Sequence, residues 1–367
     1  MICFRVDSGW AIGTGHLMRC LSLADTFKKR GFDCVFLCRD HEGNAAGLVV
    51  AQGHQFRLLG PATGADSKDQ ATWIGCDMMQ DAAETAAAIS DICGEAGAQV
   101  LFVDHYGISA RWEQALRTSC RRLAVLDDLN DRPHDCDLLV DQNLGKTANC
   151  YDGLVPRHAI VLAGAGFAPI RPEFAQERPQ SLALRSRGEL KRRVFVAYGG
   201  MDADNSSALT IAAIEQLRRR PEFADIAADV VISSRAPHVD VLRRIIADVG
   251  PHIRLHVDTP DVARLMSHAV VSCGGGGVTA LERCVVGLPT IMLIQADNQQ
   301  QMGDSIEGSG AGHVIGHSSS ATVEDIRDAL GALLADLHTL SKMSTAAAAL
   351  CDGHGLKRIA DACLGDS

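Results

Sequence analysis

Short apolar runs recur along this chain, at 4–7, 34–38, 100–104, 123–127 and 138–141, and again at 193–198, 229–233, 253–257, 269–272 and 290–294. Runs this short and this continuous read as strands buried on both faces. The mixed segments between them, such as 19–30, 81–94 and 207–220, carry helical spacing. A sheet covered on both faces by its own crossover helices is parallel, so the chain is read as α/β. Its 367 residues exceed what one core usually covers. The sequence predicts a Rossmann-like domain over 1–175, a second over 190–345, and a C-terminal helix within 346–367 packing back on the first. Around 167–193 the apolar periodicity lapses into proline and charge, which reads as the connection.

Two glycine turns stand out. After the first run comes Gly13-Thr-Gly15-His16, then the helical stretch from Leu17. A helix N-terminus offers free N–H groups and a partial positive end, so this turn suits an anionic ligand beside a titratable side chain, and His16 is the candidate catalytic residue. The second turn is Gly274, Gly275, Gly276 and Gly277, followed by Val278, Thr279 and Glu282. Neither is a phosphate-binding P-loop, since both lack the Lys-Ser/Thr pair. The second also lacks the third glycine of a dinucleotide fingerprint, because Thr279 stands there. Its backbone N–H groups would suit a diphosphate, and Glu282 would accept hydrogen bonds from both ribose hydroxyls. The bland reading is a tight strand-to-helix turn with Glu282 at the favourable end of a helix. Two turns in two halves suggest a ligand held between two domains.

Asp104, Asp127 and Asp141 close three strands, where doubly wound sheets collect ligands; each would equally serve to cap the next helix. Asp7 would orient His16 or a bound substrate, or cap the Gly13–Gly15 turn. His105 and His134 read as surface or core residues. Segment 60–77 has no assignment.

With Lys+Arg 35 against Asp+Glu 45, the net charge is −10, so nothing draws the chain to nucleic acid or an anionic membrane. Its 13 cysteines include no CxxC pair. They read as reduced core residues of a cytoplasmic monomer, with no metal and no cofactor expected.

The strand 287–297 runs into Asn298-Gln299. With the tetraglycine turn and Glu282, it resembles the nucleotide-sugar signature of GT-B enzymes such as the UDP-N-acetylglucosamine transferase that makes lipid II. A narrower resemblance rests on 5–8 with 12–16 and Arg19, on Asp104-His-Tyr106 with Trp112-Glu, on 167–174, on 199–205 and on Asn298-Gln299. Together these resemble the UDP-2,4-diacetamido-2,4,6-trideoxy-β-L-altropyranose hydrolase family of pseudaminic acid biosynthesis, the nonulosonic acid route linked to flagellin glycosylation. The resemblance implies a GT-B fold, two Rossmann-like domains with a cleft between them, and a UDP-sugar substrate. It also implies metal-independent hydrolysis with inversion, His16 acting on the water, Asn205 and Glu282 contacting substrate, and Tyr106 near the sugar. Uracil is expected on main-chain groups, with the backbone near Val257 a candidate. A GT-B glycosyltransferase and a non-catalytic nucleotide-sugar binding protein remain alternatives.

Overall fold

The computed structural model describes residues 1–66 and 69–365. Ser67 and Lys68, within the unassigned segment 60–77, lie outside the described residues. The chain divides into two compact units, Met1–Ile170 with the C-terminal segment from His354, and Arg171–Gly353.

The first unit is a seven-stranded sheet, β1 Ile2–Val6, β2 Cys34–Asp40, β3 Gln55–Pro61, β4 Val100–Asp104, β5 Leu123–Leu126, β6 Leu138–Asp141 and β7 Ile160–Ala163. Its order is β3-β2-β1-β4-β5-β6-β7, and every pairing is parallel. The central strands are buried along their length, as their uninterrupted apolar runs require. Phe4 stacks between Phe36 and Phe102 at 4.9 and 5.0 Å, fastening the three middle strands face to face. Helix Gly15–Lys29 buries Leu17, Cys20, Leu21, Ala24 and Phe27 on this layer, one stripe at helical spacing.

The last helix, Gly355–Leu364, inserts Leu356, Ile359, Ala360 and Cys363 into the same core. A side chain at Gly355 would strike the backbone of Phe167 and Ala168, so only glycine allows that approach. The helix before it, Leu337–Leu350, belongs to the second unit.

The second unit is a six-stranded parallel sheet, β8 Arg193–Ala197, β9 Ala227–Ile232, β10 Ile253–Val257, β11 Val271–Gly275, β12 Thr290–Ile294 and β13 Gly312–His317, ordered β10-β9-β8-β11-β12-β13. The stretch 167–193 contains helix Pro172–Arg187, part of this unit. It escaped the apolar reading because polar groups fasten it. Arg178 donates to the carbonyls of Val285 and Cys351, Ser181 to that of Val286, and Arg185 to those of Val286 and Met266.

In each sheet the strand order reverses beside the first strand of the unit, at β1/β4 and at β8/β11. In doubly wound sheets this switch point opens a crevice outside the strands' carboxyl ends. The His16 turn follows β1 and the tetraglycine turn follows β11, so each sits at the switch point of its own sheet.

Candidate active site

Residues 7–14 leave β1 as a closed loop. Gly13 donates its N–H to the Gly9 carbonyl at 2.8 Å, and at φ +81° it takes a conformation that favours glycine. Gly15 then opens the helix and His16 stands in its first turn. The His16 side chain is 11% exposed, and its Nδ1 lies 2.6 Å from Oδ1 of the fully buried Asp104 at the end of β4. Arg19, one turn on, grips the same carboxylate in a fork, donating from Nε to Oδ2 and from Nη2 to Oδ1, each at 2.6 Å. Burial opposes ionisation of Asp104, but Arg19 and then His16 outweigh it and hold the carboxyl well below its usual range.

An ionised carboxylate only accepts, so His16 carries its hydrogen on Nδ1. Nε2 is left as an acceptor. The 3.1 Å approach of Arg19 Nη2 to the same Nδ1 therefore sets two donors around one carboxylate.

Arg19 continues through Nη1 to Asp128 at 2.8 Å, and Asp128 accepts the Tyr106 hydroxyl at 2.6 Å. Tyr106 meets the His16 ring edge-on at 4.5 Å, and Trp73 stacks on Tyr106 at 5.6 Å. His16 and Tyr106, both candidates from sequence, thus share one site. Asp104, Asp128, Arg19 and Trp73 join them. In the sequence Asp104 is one of three strand-ending aspartates and Arg19 one residue of a motif.

Asp7 goes elsewhere, which corrects the expectation that it orients His16. It accepts from Arg5 Nη1 at 2.6 Å and from the Arg39 backbone N–H at 2.7 Å, facing His105 and His41 rather than His16. The cause is Arg5, a fully buried cation inside β1, which Asp7 and Asp81 must both neutralise. His105 and His134 are buried.

In the second unit the tetraglycine turn is built on packing. Gly274 and Gly275 are the last residues of β11, in register with Met292 and Leu293. A side chain at Gly274 would collide with the Arg283 guanidinium and the Ala197 carbonyl, and one at Gly275 with Gln295. The Gly276 N–H donates to Gln299 Oε1 at 2.9 Å. Gln299 therefore braces the turn. Asn298 is exposed.

Glu282 is buried, and Arg171 donates to its Oε1 at 3.1 Å while Oε2 has no hydrogen-bond partner. Burial raises its carboxyl pKa. Beside it Arg283 is buried too, donating from Nη2 to the Gly275 carbonyl with Nε and Nη1 unmatched. Burial pulls its pKa down to about 10. Asn205 adopts a left-handed conformation at φ +55° ahead of helix Ser206–Arg218, and its Oδ1 is buried without a partner. Asp202 caps that helix instead, accepting the N–H groups of Ser206 and Ser207. Glu282 Oε2, Asn205 Oδ1 and the Arg283 donors are unused capacity, costly in a folded core unless something meets it.

Among the described residues no group of three or more His, Cys, Asp or Glu could hold a metal ion, and no helix is long and apolar enough to cross a membrane.

No known family profile matches the chain. It is 28% identical over 270 residues, 73% of this chain and 82% of the other, to the UDP-2,4-diacetamido-2,4,6-trideoxy-beta-L-altropyranose hydrolase of Campylobacter jejuni. It is 25% identical over 191 residues, 51% of this chain and 55% of the other, to the spore coat polysaccharide biosynthesis protein SpsG of Bacillus subtilis. Among solved structures, Acinetobacter baumannii MurG matches with a TM-score of 0.68 at 12% identity, covering 99% of each chain. The resemblance carried by the motifs is thus met by a relative of the same name, and the chain has the GT-B fold.

Proposed function

We propose that this chain is a hydrolase that releases UDP from a UDP-linked 2,4-diacetamido-2,4,6-trideoxyhexose by attack of water on the anomeric carbon. The observation that carries the reading is His16, at a switch point with Nδ1 fastened to Asp104 and Nε2 left as the acceptor. The similarity to the Campylobacter jejuni enzyme supplies the substrate class. The MurG likeness supplies the fold alone.

In this mechanism His16 Nε2 accepts a proton from water as its oxygen bonds to C1. The C1–O bond to the β-phosphate breaks, and its electron pair leaves with UDP. The positive charge that forms on the imidazole is shared with Asp104, which holds the ring in one tautomer as the carboxylate of a catalytic triad does. The diphosphate is a stable anion, so its departure needs little protonation and no metal. The N–H groups at Gly277 and Val278 and the ribose acceptor Glu282 hold the nucleotide. Water arriving opposite the leaving group gives inversion. The place of such an enzyme is pseudaminic acid biosynthesis.

An NMR time course with UDP-2,4-diacetamido-2,4,6-trideoxy-β-L-altropyranose and no acceptor tests the proposal. It expects free sugar and UDP in equal amounts. Bound but unchanged substrate would support the binding protein, and turnover only after an acceptor is added would support a glycosyltransferase.

A further inference from the structure

The second unit carries a cationic recess toward the amino ends of its strands, away from the tetraglycine turn. Arg193 is the first residue of β8 and Arg254 the second of β10. Ala197, at the other end of β8, is in register with Gly274, so about 13 Å of strand separates Arg193 from that turn. Arg254 lies directly across from Asp229 of β9, and Arg193 pairs with Ala227, two residues before Asp229. Residues two apart on a strand share a face, so Arg193, Asp229, Arg254 and His256 stand on one side of the sheet. Helix Val262–Ser267 adds Arg264, and His268 follows it. These side chains line a cavity of about 330 Å³, at the lower end of the range of about 300–1,000 Å³ typical of small-molecule sites.

The charges of the recess do not balance. Asp229 is buried, its Oδ2 accepting from Arg193 Nη1 at 2.9 Å and its Oδ1 from His256 Nε2 at 2.8 Å. Both oxygens are thus engaged by residues other than Arg254, the direct cross-strand neighbour. Arg254 and Arg264 are exposed, and among the described residues neither guanidinium has an ion pair or a hydrogen bond. Three guanidiniums against one carboxylate leave the recess at +2 before either histidine is protonated, in a chain whose net charge is −10. Cations gathered in one hollow repel each other, so the arrangement gains when a counter-charge enters. A phosphoryl group matches it, with a charge of about −1.5 to −2 at neutral pH and at least three acceptor oxygens for guanidinium forks.

We infer that this recess binds a phosphoryl dianion, either inorganic phosphate or the phosphate of a small monoester, at a site separate from the nucleotide contacts proposed above. No residue of the recess belongs to those contacts, so the site stands or falls independently of the hydrolase reading.

Calorimetric titration of the intact protein with inorganic phosphate, at fixed ionic strength, should show saturable binding. Arg254→Gln and Arg264→Gln should each weaken it at least about tenfold, the loss expected when a charge-assisted hydrogen bond is removed, while the affinity for UDP at its own site stays unchanged. Each substitution also relieves repulsion, so neither should lower the Tm measured without phosphate, and phosphate should raise the Tm of the wild type more than that of either variant. Glycerol 3-phosphate in the same titration separates the two sources. Binding tighter than that of phosphate assigns the site to a monoester, and weaker binding assigns it to inorganic phosphate. Phosphate binding that both variants retain, or succinate bound as tightly as phosphate, would overturn the site.

Discussion

His16 and Asp104, 88 residues apart in the chain, face each other across the β1/β4 switch point with Nδ1 and Oδ1 2.6 Å apart. The contact fixes which imidazole nitrogen can take a proton. Asp104 is therefore a positioning residue, and Asp104→Asn should lower kcat by roughly 10²–10⁴-fold with KM and UDP affinity little changed. An asparagine can turn an acceptor or a donor to His16, so the ring loses its single tautomer while the packing volume is kept. Steady-state kinetics alongside a thermal melt decide it. A kcat near that of the wild type in a folded variant would make the pair structural.

His16→Ala should cost turnover by roughly 10²–10⁴-fold and leave UDP binding intact, because the nucleotide contacts proposed here lie in the second unit. Calorimetric titration with UDP provides the binding half. Loss of UDP affinity equal to the loss of rate would place His16 in ligand binding instead.

Glu282→Ala should weaken UDP by about 1–3 kcal/mol, the usual cost of leaving a buried polar partner unmatched. A 2′,3′-dideoxy analogue of UDP should bind both proteins alike. Equal losses for the two ligands would mean that the substitution acts through Arg171, the ion-pair partner of Glu282, and not through ribose.

His134 supplies a pH signature away from the site. Burial alone would lower its pKa, but Asp127 and Glu113 outweigh burial and raise it to about 9. The folded value lies above the unfolded value of about 6.5. Its stabilisation is therefore complete below about pH 6.5 and lost as pH rises through about 9. The difference in melting temperature between wild type and His134→Asn should shrink over that window. A difference that stays constant would show that His134 does not titrate there.

The sequence made the buried strands legible because a strand covered on both faces must be apolar throughout. Strands β3, β7 and β13 escaped it. All three are sheet edges with partly exposed residues, where one neighbour suffices and no apolar run is demanded. The glycine turns and His16 were legible because helix starts and left-handed turns restrict residue type. The His16 partner was not, since three strands end in aspartate and only the strand order brings Asp104 rather than Asp127 beside β1. The bracing role of Gln299 was not legible either, since only the fold brings its amide oxygen back to the Gly276 N–H.

The most direct test of the account is the reaction of the UDP-linked diacetamido sugar in ¹⁸O-water with excess EDTA, followed by mass spectrometry of both products and NMR of the first-formed sugar. The account predicts full activity, label in the free sugar at C1, none in UDP, and the inverted anomer formed first. Label in the UDP phosphate, or activity lost with EDTA and restored by magnesium, would contradict water delivery to carbon by His16.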